Sequence, residues 1–415
     1  MNSFADELNR RLTALREQNL FRELRRVDSA QGPRLETGGK SFLNFSSNDY
    51  LGLANHPALK QAATETVAKF GAGAGASRLI CGSLAPFHEL EESLAAFKQT
   101  ESALTFSTGY AAAVGTITAL CGKDDIIILD KLVHASIVDA AKLSGAKLRI
   151  FAHNDLEDLE AKLRWSSSFS LSGNTLKREL QPHVLIITES IFSMDGDAAP
   201  LREIVALKEK YGAWLMVDEA HATGILGNHG RGLADALGVS SQIEIQMGTL
   251  GKALGASGGY ICGSRVLVDY LINRARSFIF STAPVPAAAA AATAGIKLVQ
   301  SAEGETLRLQ LWRHVQVVGD DVRSLKSSGA ESQRLLTSSP TRNGSAIVPV
   351  IIGDEAQAVA AAAKLRDLGI FVPAIRYPTV ARGAARLRIT LTAAHSEADV
   401  STLAHALNQI VNLKS

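Results

Sequence analysis

The chain has 415 residues, 46% of them apolar and 20% charged, so we expect a folded protein with a sizeable core and not a disordered chain. Lysine and arginine together number 43 against 41 acids, a net charge of +2 that gives no reason to propose nucleic acid or a membrane as a partner. The N-terminus has no apolar stretch of the signal-peptide type and the 3 cysteines form no CxxC pair, so the expected location is cytoplasmic.

The first part of the chain predicts an N-terminal helical arm and loop over residues 1–50. Leucines recur among charged residues up to about residue 27, which favours a helix there. Further helices are predicted for Pro57–Phe70 and Pro86–Lys98, with the flexible connector Gly71–Gly75 after the first of them.

From residue 103 the pattern changes to short apolar runs that alternate with helical stretches. The runs are Ala103–Phe106, Ile126–Leu129, Leu148–Phe151, Val184–Thr188 and Trp214–Val217. Runs that are apolar nearly throughout are typical of strands covered on both faces, so residues 51–295 predict a large α/β domain with a mainly parallel central sheet. Between the strands we expect a helix over Leu201–Tyr211 that ends at Gly212, and a serine-rich surface loop over 166–173.

Residues 296–415 predict a smaller C-terminal α+β domain. It begins with a long helix to about Leu325, followed by a polar loop over 337–345 and a strand over Ile347–Ile352. A strand over Arg386–Leu391 alternates charged and apolar residues, which predicts one solvated face. The last helix is predicted to begin near Ser396.

Polar segments directly follow four of the predicted strands. They are Ser107–Tyr110, Asp130–His134, Glu189–Ser193 and Asp218–His221. Any one of them alone is more often a turn or a helix cap. Ligands of open parallel sheets bind outside the carboxyl ends of the strands, however, and four such ends coincide here with a lysine among glycines.

Asp218 and Lys252 suggest a pyridoxal phosphate (PLP) site. A buried carboxylate needs a cationic partner, which a protonated pyridine nitrogen supplies. A lysine among close-packed glycines can form a Schiff base, and Thr249 offers a hydroxyl to a phosphate. His221 is placed to support the aspartate or to hydrogen-bond the ring oxygen of the cofactor. The plainer alternatives are that Asp218 and His221 make ordinary structural hydrogen bonds and that Lys252 is a solvated loop lysine.

Three other motif interpretations are weaker. Asp218-Glu-Ala-His221 matches a helicase box, but the phosphate loop that helicases need is absent, with Gln246 in place of its first glycine. Gly71–Gly75 follows a helical pattern and not a strand, which argues against dinucleotide binding. His134, Asp218 and His221 could coordinate a metal, but no ligand spacing supports one and none is predicted.

The chain resembles the α-oxoamine synthases, PLP enzymes of the aspartate aminotransferase fold (fold type I). The resemblance runs from about Asn44 to His395 and rests on the following strings: Asn44-Phe-Ser-Ser-Asn-Asp-Tyr-Leu-Gly-Leu, Phe151-Ala-His-Asn-Asp155, Phe192-Ser-Met-Asp-Gly-Asp197, Val217-Asp-Glu-Ala-His221, Thr249-Leu-Gly-Lys252 and Arg386-Leu-Arg-Ile-Thr-Leu-Thr-Ala-Ala-His395. It implies an acyltransferase that condenses an amino acid with an acyl thioester and releases coenzyme A (CoA) and carbon dioxide.

The resemblance also implies roles for individual residues. Lys252 corresponds to the Schiff-base lysine, Asp218 to the partner of the pyridine nitrogen and His134 to the imidazole that stacks on the ring. Further cofactor contacts are implied for Gly109, Tyr110, Ser193, His221 and Thr249, and for Ser281 and Thr282 across the interface of a homodimer. Substrate contacts are implied for Arg22, Asn48, His134, Thr379 and for Arg388, the anchor of the amino-acid carboxylate.

The segment Ala374-Ile-Arg376-Tyr-Pro-Thr379 bears on the substrate. With the Thr392-Ala-Ala-His395 ending, it most resembles members that join L-alanine to pimeloyl-CoA in biotin biosynthesis. Tyr377 departs from that subgroup, and Tyr-Pro-Thr-Val occurs in members that use glycine and succinyl-CoA; acetyl transfer to glycine is a third alternative. An inactive partner subunit or a regulator on the same fold is the non-enzyme alternative. CoA and a carrier protein both remain open as the thioester donor.

Overall fold

The computed structural model describes residues 3–171, 182–326 and 345–411. Its helices are α1 Phe4–Glu17, α2 Pro57–Phe70, α3 Ala85–Lys98, α4 Gly109–Leu120, α5 Ala135–Ser144, α6 Leu156–Leu171, α7 Leu201–Tyr211, α8 Leu233–Ala236, α9 Arg265–Arg274, α10 Arg276–Ile279, α11 Pro286–Val299, α12 Ala302–Lys326, α13 Glu355–Asp367 and α14 Glu397–Val411. Its strands are β1 Arg34–Thr37, β2 Lys40–Asn44, β3 Ser102–Phe106, β4 Ile126–Asp130, β5 Lys147–Phe151, β6 Val184–Glu189, β7 Trp214–Asp218, β8 Ile245–Thr249, β9 Gly259–Gly263, β10 Ile347–Gly353, β11 Ile370–Phe371, β12 Ala374–Ile375 and β13 Ala385–Thr390.

The chain divides into two compact units. The larger unit is Asp49–Ser193 with Asp197–Leu309, and the smaller is Met1–Asn48 with Met194–Gly196 and Gln310–Ser415. The predicted division into residues 1–50, 51–295 and 296–415 stays a prediction.

The larger unit is built on a sheet of order β3-β9-β8-β7-β6-β4-β5. Strands β4 to β8 pair in parallel, while β9 pairs antiparallel with both β8 and β3. Ile127 and Leu129 pack into one buried cluster, and the alternate residues Ile126 and Ile128 pack into another. Both faces of the sheet are therefore covered, which explains the continuous apolar runs and confirms the predicted mainly parallel α/β fold.

Helix ends in the larger unit follow local sequence signals. Helices α2 and α7 have the predicted bounds, and Gly212 ends α7 in a left-handed conformation with φ 64°. The predicted loop over 166–173 is wrong as far as Leu171, because α6 extends to that residue. The Ser166 hydroxyl donates to the Lys162 carbonyl at 2.8 Å, so its hydrogen-bonding requirement is met within the helix. Residues 172 and 173 lie outside the described residues.

The smaller unit contains two three-stranded sheets, of order β1-β2-β11 and β10-β13-β12. The predicted helical arm is wrong beyond Glu17, where α1 ends, because Asn19 takes a left-handed φ of 55°. Helix α14 buries Val400, Leu403 and Leu407 as predicted. The predicted polar loop over 337–345 lies outside the described residues except for Ser345.

The prediction of a solvated face on β13 is wrong. All six residues of the strand are buried, including Arg386 and Arg388. Arg386 pairs with Asp195 at 2.6 Å, and Arg388 donates to Asn48 at 3.0 Å and to Thr390 at 2.9 Å. Charged residues can be buried when they have polar partners. The alternation of charged and apolar residues in β13 is therefore the same as that expected for a strand with one solvated face. Across the described ranges, no helix is long and apolar enough to cross a membrane.

Candidate active site

A cavity of about 190 Å³ lies where the carboxyl ends of β4, β6, β7 and β8 meet the start of α4. Its lining residues are Gly109, Tyr110, His134, Ser136, Glu189, Asp218, Ala220, His221, Met247, Thr249 and Lys252. The structure therefore brings together seven of the predicted residues, from Gly109 to Lys252, that are far apart in the sequence.

Asp218 is the last residue of β7, and its carboxylate is buried in the cavity wall. Burial raises the pKa of Asp218, while the nearby Lys252 acts in the opposite direction. The Ala220 N–H donates to its Oδ1 at 2.9 Å. A cation bound beside this carboxylate would offset the cost of keeping it ionised, which suits the nitrogen of a pyridinium ring.

Lys252 and His221 face each other across the cavity floor. Lys252 Nζ lies 2.9 Å from His221 Nε2, and His221 Nδ1 lies 2.6 Å from the hydroxyl of Tyr50. Tyr50 is fully buried and His221 is 6% exposed. Tyr50 was not among the predicted site residues, although it belongs to the motif that begins at Asn44.

The other end of the cavity suits a phosphate. Gly109 begins α4, and the hydroxyl of Thr108 caps the helix by accepting from the Ala111 N–H at 3.0 Å. The first N–H groups of a helix have no partners within it and carry a partial positive charge, so they bind anions. Thr249 Oγ1 accepts from the Gly251 N–H at 3.2 Å and donates to the Gly258 carbonyl at 3.0 Å. Its hydroxyl thereby shapes the loop that carries the lysine.

His134 and Glu189 complete the wall. Burial lowers the pKa of His134, which favours the neutral imidazole, and its Nδ1 lies 2.8 Å from Ser136 Oγ. Burial also raises the pKa of Glu189 well above its usual value. Glu189 begins the polar segment Glu189–Ser193 at the end of β6, but no role was predicted for it.

Three predicted cofactor residues do not line this cavity. Ser193 is buried beside it, and its N–H donates to Glu189 Oε2 at 3.1 Å. Thr282 forms a β-bridge with Ser77, and Ser281 directly precedes it. The roles implied for these three residues stay predictions.

The predicted substrate residues that belong to the smaller unit contact one another in two places. Arg388 is 7% exposed and is held by Asn48 and Thr390. Arg22 donates to Thr379 Oγ1 at 3.3 Å. Each arginine is thus oriented by a hydroxyl, and Arg388 also by an amide oxygen.

Glycines near Lys252 pack closely against other protein atoms. Gly248 lies in β8 and Gly259 in β9, two strands that the apolar pattern did not predict. A Cβ at Gly259 would stand 2.5 Å from the Thr108 carbonyl oxygen and 2.6 Å from the Gly109 backbone. These glycines therefore permit close packing of protein on protein behind the cavity, and Gly259 fixes the start of α4.

Two ionic clusters lie outside the cavity, one of them buried and the other partly exposed. Lys98 pairs with Glu219, the residue after Asp218, and also donates to the Arg231 carbonyl; the two side chains are 2% and 0% exposed. His153 lies 3.0 Å from Asp130 and 2.7 Å from Asp197. Burial disfavours the charged imidazole, but the two carboxylates outweigh it and raise the pKa of His153 to about 10.

These residues fit PLP. The carboxylate of Asp218 suits the ring nitrogen of that cofactor, and the amine of Lys252 suits its aldehyde. The imidazole of His134 suits the face of the ring, and the N-terminus of α4 suits the phosphate. Among the residues that the structure describes, no group of His, Cys, Asp and Glu side chains is arranged to hold a metal ion.

Comparison with known proteins agrees with this chemistry. The model of the aminotransferase class I and II family matches residues 40–407. An 8-amino-7-oxononanoate synthase of Geotalea daltonii is 45% identical over 412 residues, which cover 99% of this chain and 98% of that protein. A variant serine palmitoyltransferase from S. paucimobilis, solved with a bound PLP–myriocin aldimine, is similar with a TM-score of 0.87 at 29% identity, covering 98% of both chains. An 8-amino-7-oxononanoate synthase from Francisella tularensis has a TM-score of 0.71 at 27% identity, covering 89% of this chain and 97% of that one.

Proposed function

This chain belongs to the class I and II aminotransferase family, and from that premise we propose that it is a PLP-dependent acyltransferase with 8-amino-7-oxononanoate synthase activity. The reaction joins L-alanine to pimeloyl-CoA and releases CoA and carbon dioxide, a step of biotin biosynthesis. The cavity that contains both Lys252 and Asp218 carries the assignment of the cofactor. The 45% identity over nearly the full length supports the choice of substrates.

Serine palmitoyltransferase is the second candidate, because a solved enzyme of that name has a similar fold over nearly the whole chain. Its sequence identity is only 29%, however, against 45% for the synthase from Geotalea daltonii. Glycine with succinyl-CoA or acetyl-CoA remains the alternative within the resemblance. The presence of Lys252 argues against an inactive subunit.

The residues of the cavity divide the work of the reaction. Bound PLP supplies an electron-accepting ring that stabilises negative charge at the α-carbon of the amino acid. Lys252 Nζ binds the cofactor and moves the α-proton, for which an amine close to its neutral form is suited. Asp218 holds the ring nitrogen in its protonated form, and His134 offers a neutral ring for stacking.

Substrate binding is assigned to the polar residues of the smaller unit. Hydrogen bonds to Asn48 and Thr390 orient the guanidinium group of Arg388, which suits a bidentate contact with the carboxylate of alanine. Arg22, held by Thr379, is assigned to the acyl thioester. Either CoA or an acyl carrier protein fits as donor, because both carry anionic phosphate that arginine binds well.

A cytoplasmic homodimer is part of the proposal. Apolar side chains are exposed around the predicted interface residues Ser281 and Thr282: Phe280 is 69% exposed, and Ile80, near the bridging Ser77, is 79% exposed. Exposed apolar patches of this kind support a protein interface. Size measurement in solution should give twice the chain mass, and Ile80→Glu should shift the protein towards the monomer.

A substrate matrix tests the function. Alanine, glycine and serine are each combined with acetyl-, succinyl-, pimeloyl- and palmitoyl-CoA, while thiol and carbon dioxide release are followed. Alanine with pimeloyl-CoA should give the highest kcat/KM; preference for serine with palmitoyl-CoA would favour the second candidate. Lys252→Ala should abolish turnover and retain some PLP binding, since Asp218 and the phosphate end remain. Normal turnover in that variant contradicts the role of Lys252.

A further inference from the structure

Tyr50 and His221 are buried and form a row with the half-buried Lys252. The hydroxyl of Tyr50 and the amine of Lys252 contact opposite nitrogens of the imidazole, at 2.6 and 2.9 Å. A neutral imidazole has one N–H and one lone pair, so the partner at one nitrogen determines what the other nitrogen can do. The hydroxyl of the tyrosine can therefore influence the amine of the lysine through the imidazole.

The loop that carries Tyr50 is fixed on the loop that carries the lysine. The Asp49 carboxylate accepts from the N–H groups of Leu53 and Ala54 at 2.8 and 3.1 Å, which closes the turn around Tyr50. Gly255 has a φ of +66°, and a Cβ on it would stand 2.6 Å from the Leu53 backbone. The two loops thus pack without room for a side chain, and the Gly255 N–H donates to the Lys252 carbonyl at 2.9 Å. Tyr50 has little freedom to leave the imidazole.

We propose that Tyr50 is a positioning residue that donates its proton to His221 Nδ1 and so fixes the histidine as its Nε2–H tautomer. The N–H at Nε2 then points towards the Lys252 nitrogen and favours that nitrogen in its unprotonated form, because an N–H donor needs a lone pair to bond. Tyrosine suits the task, since its hydroxyl keeps its proton up to a pH of about 10. The inference deepens the proposed function and rests on the binding of PLP at Lys252.

The test is a pH titration of the visible absorbance of the PLP-loaded protein, which follows the proton on the cofactor-bound Lys252 nitrogen. In Tyr50→Phe the imidazole loses its fixed tautomer, so the pKa of that nitrogen should rise by about one unit, a tenfold change in the acid dissociation constant. Tyr260→Phe is the matched control. Tyr260 is equally buried, but its hydroxyl lies 2.9 Å from Thr223 and outside the row, so the titration should not move.

A second variant tests whether Tyr50→Phe shifts the pKa of the Lys252 nitrogen through His221 or through a general loss of packing. In a His221→Asn background, Tyr50→Phe should produce no further shift, because the tyrosine acts only through the imidazole. A shift of equal size with and without His221 overturns the proposal, as does a titration of Tyr50→Phe that matches the wild type. A wild-type protein that shows no PLP absorbance overturns the proposed function as well, whereas normal wild-type absorbance with an unmoved Tyr50→Phe overturns this inference alone.

Discussion

Replacing Lys98 with methionine should destabilise the protein more than any ordinary surface change, although Lys98 lies outside the cavity. The side chains of Lys98 and Glu219 are 2% and 0% exposed, so neither charge is solvated. Glu219 also accepts from the Ala234 N–H at 2.9 Å. Methionine fills the space of the lysine but leaves the carboxylate buried without its cation.

The expected magnitude follows from that loss. Removing one partner of a buried ion pair typically costs about 3–5 kcal/mol, because the remaining charge is uncompensated. Replacing both partners removes that charge, so Lys98→Met combined with Glu219→Gln should recover at least half of the lost free energy. The glutamine oxygen can still accept from Ala234.

Urea unfolding, followed by tryptophan fluorescence on the PLP-loaded protein, measures the free energy of unfolding of the wild type, both single variants and the double variant. Lys208→Met provides a comparison, because Lys208 is also buried but its partner Glu244 is 40% exposed and can be solvated. The reasoning is refuted if Lys98→Met costs less than about 1 kcal/mol, the range of exposed pairs, or if the double variant is destabilised by the sum of the singles.

Two further predictions concern the support of the cavity. Gly259→Ala should weaken PLP binding severely, because the added Cβ would clash with the backbone at the start of α4. Gly251→Ala, next to the lysine, should weaken PLP binding only slightly, because the nearest atom to its Cβ is 3.5 Å away. Equal PLP Kd values for the two variants contradict this prediction. His153→Gln should cost the most stability below about pH 6.5 and progressively less as the pH rises towards 10, because a raised pKa of about 10 stabilises the folded state only while the imidazole keeps its proton. Thermal melting of the wild type and the variant from pH 6 to 10 tests that sign, and a difference that grows with pH is the contrary result.

The sequence predicted the parallel strands and the cavity because both depend on local patterns. Apolar runs mark strands covered on both faces, and the polar residues after them meet at one edge of the sheet. Strand β8 was missed because Gln246 and Gly248 interrupt its apolar run, and β9 because glycine stands at both its ends. In each case the neighbouring strand, not the local sequence, provides the burial.

Partners distant in sequence were beyond such reasoning. Tyr50 and His221 are 171 positions apart, and Lys98 and Glu219 are 121 apart. No periodicity connects such pairs, and a buried lysine looks like a solvated one until its partner is known. The solvated face predicted for β13 failed for the same reason, since the partner of Arg386 is Asp195 on a distant segment.

The motif Asp218-Glu-Ala-His221 shows why the site needs all of these partners. Within one turn after β7, Asp218 faces the cavity, Glu219 points back to Lys98, and His221 reaches between Tyr50 and Lys252. A turn whose side chains are tied at several points cannot reorient one of them without disturbing the others, so contacts within the folded chain hold Asp218 and His221 in place. Lys98→Met should therefore weaken PLP binding as well as stability, because the turn that holds Asp218 and His221 loses the ion pair between Glu219 and Lys98.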